Sequence, residues 1–387
     1  MSQPEVRITS RAIDRIVAGH VWIYRSDVRE TEGVDPGAVV RVIDRKGHAW
    51  GQALYSSTSQ IALRLLTRED NAFDLDLLGE RILEAARYRD TVAPGAEAYR
   101  LVASEGDLLP SLIIDRYGDS FVLQTLSQGM ERLKESVVQV LEKQFGARSV
   151  IERNDVAVRT LEGVEESKGI LRGETGDVVA GENGTKFCFD LLQGQKTGGF
   201  LDQRENRSAA RDYARGRALD CFCYNGGFAL TVAPRCESVL AIDSSSAALE
   251  GARQNQALNQ IDNVEWREAN CFDFLKAADR AGERFDTIVL DPPAFARHKS
   301  HADAALRAYK ELNLRAFKLL TSGGFLVTCS CSYHVSEADF LAVIASAAVD
   351  AHRTLAVVER RTQSRDHPIL LTVPETHYLK CLILRAV

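Results

Sequence analysis

The spacing of hydrophobic positions divides the chain into three blocks. In the first, up to about residue 70, short aliphatic runs at residues 38–43 and 61–66 are separated by turn-forming residues such as Asp35-Pro36-Gly37. Short strands at this spacing, each bounded by a turn signal, are typical of a small barrel or sandwich. We therefore predict a small β-domain over residues 1–70.

Helical and strand-like periods are mixed in the second block. Apolar side chains recur on one side of a helix over Leu75–Val92 and again over residues 130–145, which is the spacing of amphipathic helices. Strand-like runs at residues 121–126 and 149–153 flank the second of these helices. We expect a central α+β domain over residues 71–176.

The third block, residues 177–387, alternates strands and helices. A helical segment follows each of five apolar strand-like runs, which begin near residues 217, 238, 264, 285 and 323. This repetition predicts a doubly wound parallel sheet. The predicted fold class is therefore α/β, with a Rossmann-like C-terminal domain preceded by the small β-barrel and the α+β domain.

Composition and charge narrow the functional classes. The chain has 387 residues, of which 45% are hydrophobic and 26% charged, values that are typical of globular rather than disordered proteins. No apolar run approaches the roughly 18–20 residues that span a bilayer, and residues 1–10 lack the apolar segment of a signal peptide. We expect a cytoplasmic protein with no membrane partner. The net charge of −6 disfavours a protein that holds long duplexes by neutralising phosphates, although it leaves room for a local basic patch.

The cysteines favour a single active thiol over a metal centre or a disulfide framework. All eight lie after residue 187, and no two are spaced as C-x-x-C, so they do not match a zinc site. A disulfide framework is not expected in a chain of this length without an export signal. We predict no bound metal.

Two features predict a nucleoside ligand at the carboxyl edge of the C-terminal sheet, where such sheets bind ligands. The run Asp220-Cys-Phe-Cys-Tyr-Asn-Gly-Gly227 is a strand-to-helix turn with two glycines that let the backbone approach a ligand. Asp243 ends the next strand, where a carboxylate accepts both hydroxyls of a ribose. As alternatives, the glycines only close a turn and Asp243 only caps a helix. Both NAD and S-adenosylmethionine (SAM) contain adenosine, so these features fit either cofactor.

The fourth and fifth strands favour chemistry on a base. Asp291-Pro292-Pro293-Ala294-Phe295 follows the fourth strand, and its prolines shape the backbone to hold a planar group, while the carboxylate can bind the amino or ring-nitrogen edge of a flipped-out base. Cys329 and Cys331 share one face of the fifth strand. Cys331 is the nearer to the carboxyl edge and is our candidate thiol. Cys329 is expected to be a buried apolar residue, as are three others, Cys221, Cys223 and Cys271.

Together these motifs resemble the class I SAM-dependent RNA methyltransferases. More narrowly, they resemble the RlmI-like family of bacterial 23S rRNA 5-methylcytosine methyltransferases. Gly19-His20-Val21-Trp22 is similar to that family's N-terminal PUA domain, an RNA-binding pseudobarrel, and residues 109–118 are similar to its central domain. Residues 194–207, GQKTGGFLDQRENR, form the most family-specific run. The resemblance covers nearly the whole chain.

The resemblance implies SAM as the cofactor and assigns residues to it. Asp243 would bind the ribose, and Asn270 stands at the adenine side, where the family commonly has Asp. Lys196 and Arg204 would help to close the pocket, unless they are solvated or structural ion-pair residues. The full set implied for the cofactor is Asp220, Phe222, Tyr224, Asn225, Gly226, Gly227, Asp243, Asn270, Asp291, Lys196 and Arg204.

For catalysis the resemblance implies Cys331 and Asp291. A thiolate that adds to C6 of cytosine makes C5 nucleophilic enough to take a methyl group. Related cytosine methyltransferases carry a second cysteine after the proline of the fourth-strand motif, but here Pro293 is followed by Ala294. The residues implied for substrate binding are Pro292, Pro293, Phe295, Trp22, Arg11 and Arg15.

Several alternatives stay open. Trp22 either caps the barrel core or stacks on RNA. The expected partner is RNA, specifically 23S rRNA, and the sequence leaves a homodimer open. The fourth-strand motif also resembles that of exocyclic-amine methyltransferases, which need no thiol. A non-catalytic RNA-binding or ribosome-assembly factor is a further alternative, whereas an NAD-dependent oxidoreductase is disfavoured by the missing G-x-G-x-x-G.

Overall fold

The computed structural model describes residues 3–68, 70–174, 176–296 and 299–387. The chain forms two units, neither of which is continuous in sequence. Unit 1 comprises Met1–Ala180, Phe189–Leu201 and Arg365–Thr376, and unit 2 comprises Gly181–Cys188, Asp202–Ser364 and His377–Val387. The division into three domains at residues 70 and 176 stays a prediction.

Unit 1 contains a six-stranded sheet at the N-terminus. Its strands occur in the order β2-β6-β5-β4-β1-β3, and β1 and β4 are parallel whereas the other neighbours are antiparallel. A helix, α1 (Ser10–Val17), follows the first strand and is capped by the side chain of Thr9. The strands are β1 (Glu5–Ile8), β2 (Trp22–Tyr24), β3 (Val28–Arg29), β4 (Val39–Ile43), β5 (Ala49–Tyr55) and β6 (Ile61–Leu65).

A five-stranded sheet, in the order β11-β10-β9-β8-β7, forms the rest of the regular structure in unit 1. Its apolar side chains share one buried cluster with those of two long helices, which begin and end within two residues of the predicted positions. The elements are α2 (Leu75–Val92), β7 (Ala98–Ala103), β8 (Leu112–Tyr117), β9 (Ser120–Thr125), α3 (Gln128–Phe145), β10 (Ser149–Arg153), α4 (Val158–Leu161) and β11 (Lys168–Arg172).

A segment from near the C-terminus, Arg365–Thr376, also belongs to unit 1. The carboxylate of Asp366 accepts a hydrogen bond from the backbone N–H of Arg100, 2.9 Å away. Its carbonyl oxygen accepts one from the guanidinium of Arg89 at 2.7 Å. These contacts join residues 266 and 277 positions apart in sequence, which no local pattern predicts.

A seven-stranded sheet forms the centre of unit 2. Ahead of it lies a hairpin, β12 and β13, and then a helix, α5, none of which was predicted. The elements from the hairpin onward are β12 (Val178–Glu182), β13 (Thr185–Phe189), α5 (Arg204–Tyr213), β14 (Arg217–Cys221), α6 (Gly227–Val232), β15 (Ser238–Asp243), α7 (Ser246–Asn259), β16 (Val264–Glu268), α8 (Cys271–Ala281), β17 (Phe285–Leu290), α9 (Ala302–Leu319), β18 (Leu320–Ser330), α10 (Glu337–Asp350), β19 (Leu355–Arg361) and β20 (Lys380–Ala386).

The order of this sheet is β16-β15-β14-β17-β18-β20-β19. The first five strands in this order are mutually parallel, as predicted, whereas β20 is antiparallel to both of its neighbours. The direction of strand progression reverses between β14 and β17, and ligands bind at the carboxyl edge beside such a reversal. The α/β prediction is confirmed, with the antiparallel β20 as the one departure from a parallel sheet.

Helix α9 packs its apolar side against this sheet. Tyr309 and Phe317 of α9 are fully buried, and Phe340 of α10 joins them in the same cluster.

Within the described ranges, no helix is both long enough and apolar enough to cross a membrane.

Replacement of Phe317 by Ala tests this core. We expect Phe317→Ala to lower the free energy of unfolding by about 3–5 kcal/mol, because it removes a buried ring and leaves a cavity. Val349→Ala on α10 is the control, since that side chain is 72% exposed, and its effect should stay within about 0.5 kcal/mol. Urea denaturation followed by circular dichroism measures both. Equal effects of the two changes would contradict the packing described.

Candidate active site

Asp220 lies inside β14 with only 1% of its surface exposed. Its Oδ2 accepts a hydrogen bond from the backbone N–H of Ala229, at the start of α6, at 2.8 Å. Its Oδ1 is buried and has no hydrogen-bond partner among the described residues. Burial raises the pKa of Asp220 well above its ordinary value, and the negative charges of Asp291 and Asp243 raise it further. Asp220 is therefore a buried acid with one oxygen available to a ligand.

The turn after β14 has an unusual backbone that Asp243 holds in place. Phe222 and Tyr224 adopt positive φ angles of 65° and 49°, and Gly226 one of 89°. Asp243 accepts hydrogen bonds from the backbone N–H groups of Tyr224 and Ser245, both at 2.9 Å. The carboxylate at the end of β15 thus fixes the turn that follows β14.

The two glycines of this turn leave no room for a side chain. A Cβ at Gly226 would lie 2.7 Å from the ring of Trp266, and one at Gly227 would lie 3.2 Å from the guanidinium of Arg207. Arg207 is itself buried and makes two hydrogen bonds of 2.6 Å to the carboxylate of Glu182. Burial lowers the pKa of Arg207, but Glu182, with the more distant charges of Asp202 and Asp291, raises it above its ordinary value. The turn therefore rests on a rigid ion pair.

Asp291, directly after β17, is oriented by a chain of amides. Its Oδ1 accepts a hydrogen bond from Gln203 Nε2 at 2.8 Å, and Gln203 Oε1 accepts one from Asn206 Nδ2 at 2.7 Å. Asn206 Oδ1 in turn accepts one from Arg361 Nε at 3.0 Å. Because the arginine can only donate, the direction of every bond in the chain is fixed. Gln203 therefore presents its N–H groups to Asp291.

Cys331 follows β18 and lies beside the fourth-strand motif. Its side chain is half-buried, and Sγ lies 3.9 Å from the carbonyl oxygen of Pro292. The next residue, Ser332, is buried, and its Oγ lies 2.9 Å from the hydroxyl of Tyr309. Burial raises the pKa of Tyr309 to about 12, so this phenol is neutral at physiological pH. The structure thus places Cys331 in contact with Pro292, the residue directly after Asp291.

Cys329 has different surroundings. It is fully buried and lies opposite Cys381 in the β18–β20 pairing. Contact with the Cys381 thiol, together with burial, raises the pKa of Cys329 well above its ordinary value. Cys221, Cys223 and Cys271 are also buried. Of the five cysteines compared in the sequence, Cys331 is the most accessible to a substrate.

Three other predicted residues of unit 2 make structural contacts. Phe295 packs in a cluster of aromatic rings, with centroids 6.1 Å from Phe272 and 5.0 Å from Tyr309. Asn270 caps α8, since its Oδ1 accepts hydrogen bonds from the backbone of the first helical turn. Arg204 is 4% exposed. Of the fourth-strand prolines, Pro292 is buried and Pro293 is exposed.

The remaining predicted residues belong to unit 1. Trp22 is half-buried and donates from Nε1 to the carboxylate of Glu105 at 2.9 Å. Arg11 and Arg15 form ion pairs of 3.1 and 3.2 Å with a buried carboxylate, that of Asp27. The ammonium of Lys196 lies 4.4 Å from the ring centroid of Phe200. These four side chains thus contact other residues of their own unit.

Comparison with known proteins identifies the family. Residues 6–68 match a PUA-like domain, and residues 123–385 match the S-adenosylmethionine-dependent methyltransferases. The ribosomal RNA large subunit methyltransferase I of Tolumonas auensis is 39% identical over 379 residues, which cover 95% of this chain and 96% of that protein. Its counterpart in Shewanella frigidimarina is 40% identical over 377 residues, 95% of each chain. The chain belongs to the ribosomal RNA large subunit methyltransferase I family.

Solved structures agree with this family at the level of the fold. A SAM-dependent methyltransferase from Streptococcus mutans, 18% identical, superposes with a TM-score of 0.83 over 99% of this chain and 100% of its own. A methyltransferase complexed with SAH, 19% identical, superposes with a TM-score of 0.84 over all of both chains. The predicted arrangement of a PUA-like domain and a SAM-dependent methyltransferase sheet is confirmed.

The chemistry of the carboxyl edge fits the SAM cofactor of this family. SAM carries positive charge on its sulfonium and amino groups and has two ribose hydroxyls. The edge offers the buried, unpartnered Oδ1 of Asp220 and the carboxylates of Asp243 and Asp291. The Gly226-Gly227 turn has no side chain to exclude a ligand. Negative charge and open backbone thus meet where a cationic nucleoside would bind.

The sequence reasoning missed two polar residues at this site, Gln203 and Lys380. Gln203 lies in the family-specific run 194–207, in which the resemblance implied cofactor contacts for Lys196 and Arg204 but not for Gln203. Lys380 is the first residue of β20, directly before its apolar run, and a charged residue in such a strand is a signal that could have marked it as a site residue. It is 4% exposed, and its Nζ donates to the carbonyl oxygens of Ser332 and Tyr378 at 2.8 and 2.9 Å.

The raised pKa of Asp220 predicts a pH-dependent stability. Above its ordinary pKa of 3.8, the unfolded chain has lost the proton that the folded protein retains, so the wild type loses stability as the pH rises. Asp220→Asn has no such proton. We expect its free energy of unfolding, relative to wild type, to increase between about pH 4 and about pH 7, measured by urea denaturation of the cofactor-free protein.

The exposed Asp262 supplies the control, because Asp262→Asn should show no such trend. A difference between Asp220→Asn and wild type that stays constant or falls with pH would show that the Asp220 carboxyl is ionised in the folded protein.

Proposed function

We propose that this protein transfers the methyl group of SAM to C5 of a cytosine in 23S rRNA through a covalent bond to Cys331. The observation that carries the proposal is the position of the half-buried Cys331 thiol, 3.9 Å from the carbonyl of Pro292, the residue that follows Asp291 in the chain. The names of the relatives support large-subunit rRNA as the substrate. Asp220 in β14 and Asp243 at the end of β15 lie on neighbouring parallel strands of the sheet.

Within this proposal the turn after β14 and the ends of β15 and β17 hold the cofactor. SAM supplies an electrophilic methyl group when bound. Asp243 accepts hydrogen bonds from the ribose hydroxyls, Asp220 lies under the turn that holds the methionine half, and Asn270 stands at the adenine side. The remaining proposed contacts are those of Phe222, Tyr224, Asn225, Gly226, Gly227, Asp291, Lys196 and Arg204.

The protein residues then act on the base. The thiolate of Cys331 adds to C6, and the π electron pair of the C5=C6 double bond moves onto C5. C5 then takes the methyl group as its bond to the sulfonium sulfur breaks, which leaves S-adenosylhomocysteine. Asp291 accepts a hydrogen bond from the N4 amine at the N3 and N4 edge of the cytosine, which orients the ring for attack by the thiolate. Loss of the C5 proton to a base and cleavage of the Sγ–C6 bond release 5-methylcytosine. Pro292, Pro293 and Phe295 shape the place where the base lies.

We assign RNA binding to the PUA-like domain, with Trp22, Arg11 and Arg15 as its proposed contacts. The side chain of Arg11 is 67% exposed, so it can reach a phosphate while it pairs with Asp27. Since the net charge is negative, shape and stacking rather than bulk charge would supply specificity. The cytoplasmic location and a homodimer stay predictions.

The role of Asp243 is tested by cofactor binding. We expect Asp243→Ala to weaken SAM binding at least about tenfold in isothermal titration calorimetry, because two ribose hydroxyls lose a charged acceptor. Asp262→Ala is the matched control, as this carboxylate is exposed in the loop before β16. A dissociation constant of Asp243→Ala equal to that of the control would remove Asp243 from the cofactor site.

Replacement of Cys331 tests the covalent route. We expect Cys331→Ala to reduce 5-methylcytosine formation by at least about 10³-fold, as loss of a nucleophile does. Mass spectrometry of 23S rRNA from cells that lack the gene, incubated with enzyme and SAM, measures the product. Cys329→Ala, which alters a buried thiol opposite Cys381, should retain activity. Full activity in Cys331→Ala, or a methyl group on an exocyclic amine, would favour the thiol-independent alternative.

A further inference from the structure

Lys380 is a buried cation whose hydrogen-bond acceptors are neutral carbonyl oxygens. It is 4% exposed, and its ammonium donates to two neutral acceptors, the carbonyl oxygens of Ser332 and Tyr378. In the described parts of the chain it forms no ion pair with a carboxylate. Burial of an ammonium under these conditions is costly, and it lowers the pKa of Lys380 to about 8. Such a residue, next to the buried apolar run Cys381–Leu384 of β20, calls for a reason beyond packing.

The position of Lys380 supplies that reason. It begins β20 and lies opposite Ser330, the last residue of β18. One of its two acceptors, Ser332 O, belongs to the residue after Cys331. Its charge interacts with the Cys331 thiol and with Glu337 at the start of α10.

The positive charge of Lys380 favours the ionised form of the Cys331 thiol, and the other groups named here differ from it in charge. Glu337 is held by two hydrogen bonds from Arg360. Asp291 is negative, and Tyr309 is neutral because burial raises its pKa to about 12. Among these groups, the ammonium of Lys380 is the one that favours an ionised sulfur.

We propose that Lys380 is a positioning residue for Cys331, whose ammonium fixes the backbone after β18 and supplies the positive charge that stabilises the thiolate. This inference rests on the proposed function, in which that thiolate adds to the base. A purely structural Lys380 would hold the strand end but would leave the ionisation of Cys331 unchanged. The two roles therefore differ in a measurable quantity, the pH at which Cys331 loses its proton.

Alkylation of Cys331 measures this quantity without cofactor or RNA. The full-length protein is treated with iodoacetamide over a range of pH, and peptide mass spectrometry gives the rate at Cys331. In wild type we expect a midpoint below about 8.5, the ordinary thiol value. Lys380→Met, which keeps the length of the side chain and removes its charge, should raise the midpoint by at least about one pH unit. Lys380→Arg should restore a low midpoint.

The opposite end of β18 offers a matched control. Arg353 donates to the carbonyl oxygens of Leu320 and Thr321 at 2.8 and 3.2 Å, so Arg353→Met also removes a cation that holds two carbonyls of this region. It should leave the Cys331 midpoint unchanged. Half-buried Cys236 is an internal reference in every sample.

Two results would overturn the inference: a wild-type midpoint at or above about 8.5, or a Lys380→Met midpoint equal to that of wild type. The wild-type midpoint is measured without any variant, so it tests the inference even if Lys380→Met does not fold. Methylation assays separate this outcome from failure of the proposed function, because an active Cys331→Ala enzyme would end the covalent route whatever the alkylation data show. If both proposals hold, Lys380→Met lowers kcat while KM for SAM stays unchanged.

Discussion

The register of the parallel strands is the constraint on which the site depends. Cys221 at the end of β14 pairs with Ile242 of β15 on one side and with Leu290 of β17 on the other. The residues directly after Cys221, Ile242 and Leu290 therefore lie at the same level of the sheet edge, and they include Asp243 and Asp291. A shift by one residue in either pairing would turn these carboxylates to the other face of the sheet.

This register concentrates negative charge in a buried place, which the fold must compensate. At Asp220 the cost appears as a raised pKa, caused by burial and by the charges of Asp291 and Asp243. Asp243 accepts two backbone hydrogen bonds, and Asp291 accepts one from Gln203. Each acid is thus held by local contacts, and Oδ1 of Asp220 has no hydrogen-bond partner among the described residues, which suits the binding of a cationic cofactor.

The sequence predicted helices α2 and α3, the alternating strands and helices of the C-terminal sheet and the motifs at the strand ends, because each of these depends on local spacing. It did not predict Gln203 or Lys380 as site residues. Gln203 lies directly before helix α5, which was not predicted. Lys380 begins β20, the last strand in the chain, which lies antiparallel to β18 and β19 in the sheet. Nor did it predict that residues 365–376 join unit 1. Asn270 and Phe295 show the converse case, in which a motif position also has a capping or packing contact that sequence cannot reveal.

Two buried cations of unit 2 show how structural and functional charges differ. Arg207 makes two hydrogen bonds of 2.6 Å to Glu182, so its desolvation is offset within the protein and its charge is fixed. Among the described residues, the hydrogen-bond partners of Lys380 are carbonyl oxygens, and burial lowers its pKa to about 8. A paired cation supports the turn above it whatever the state of the site. A buried cation that has no anionic partner among the described residues is stabilised most when a neighbouring thiol ionises. The free energy spent on burying its charge is then offset by attraction to the thiolate, which stabilises the reactive form of the thiol.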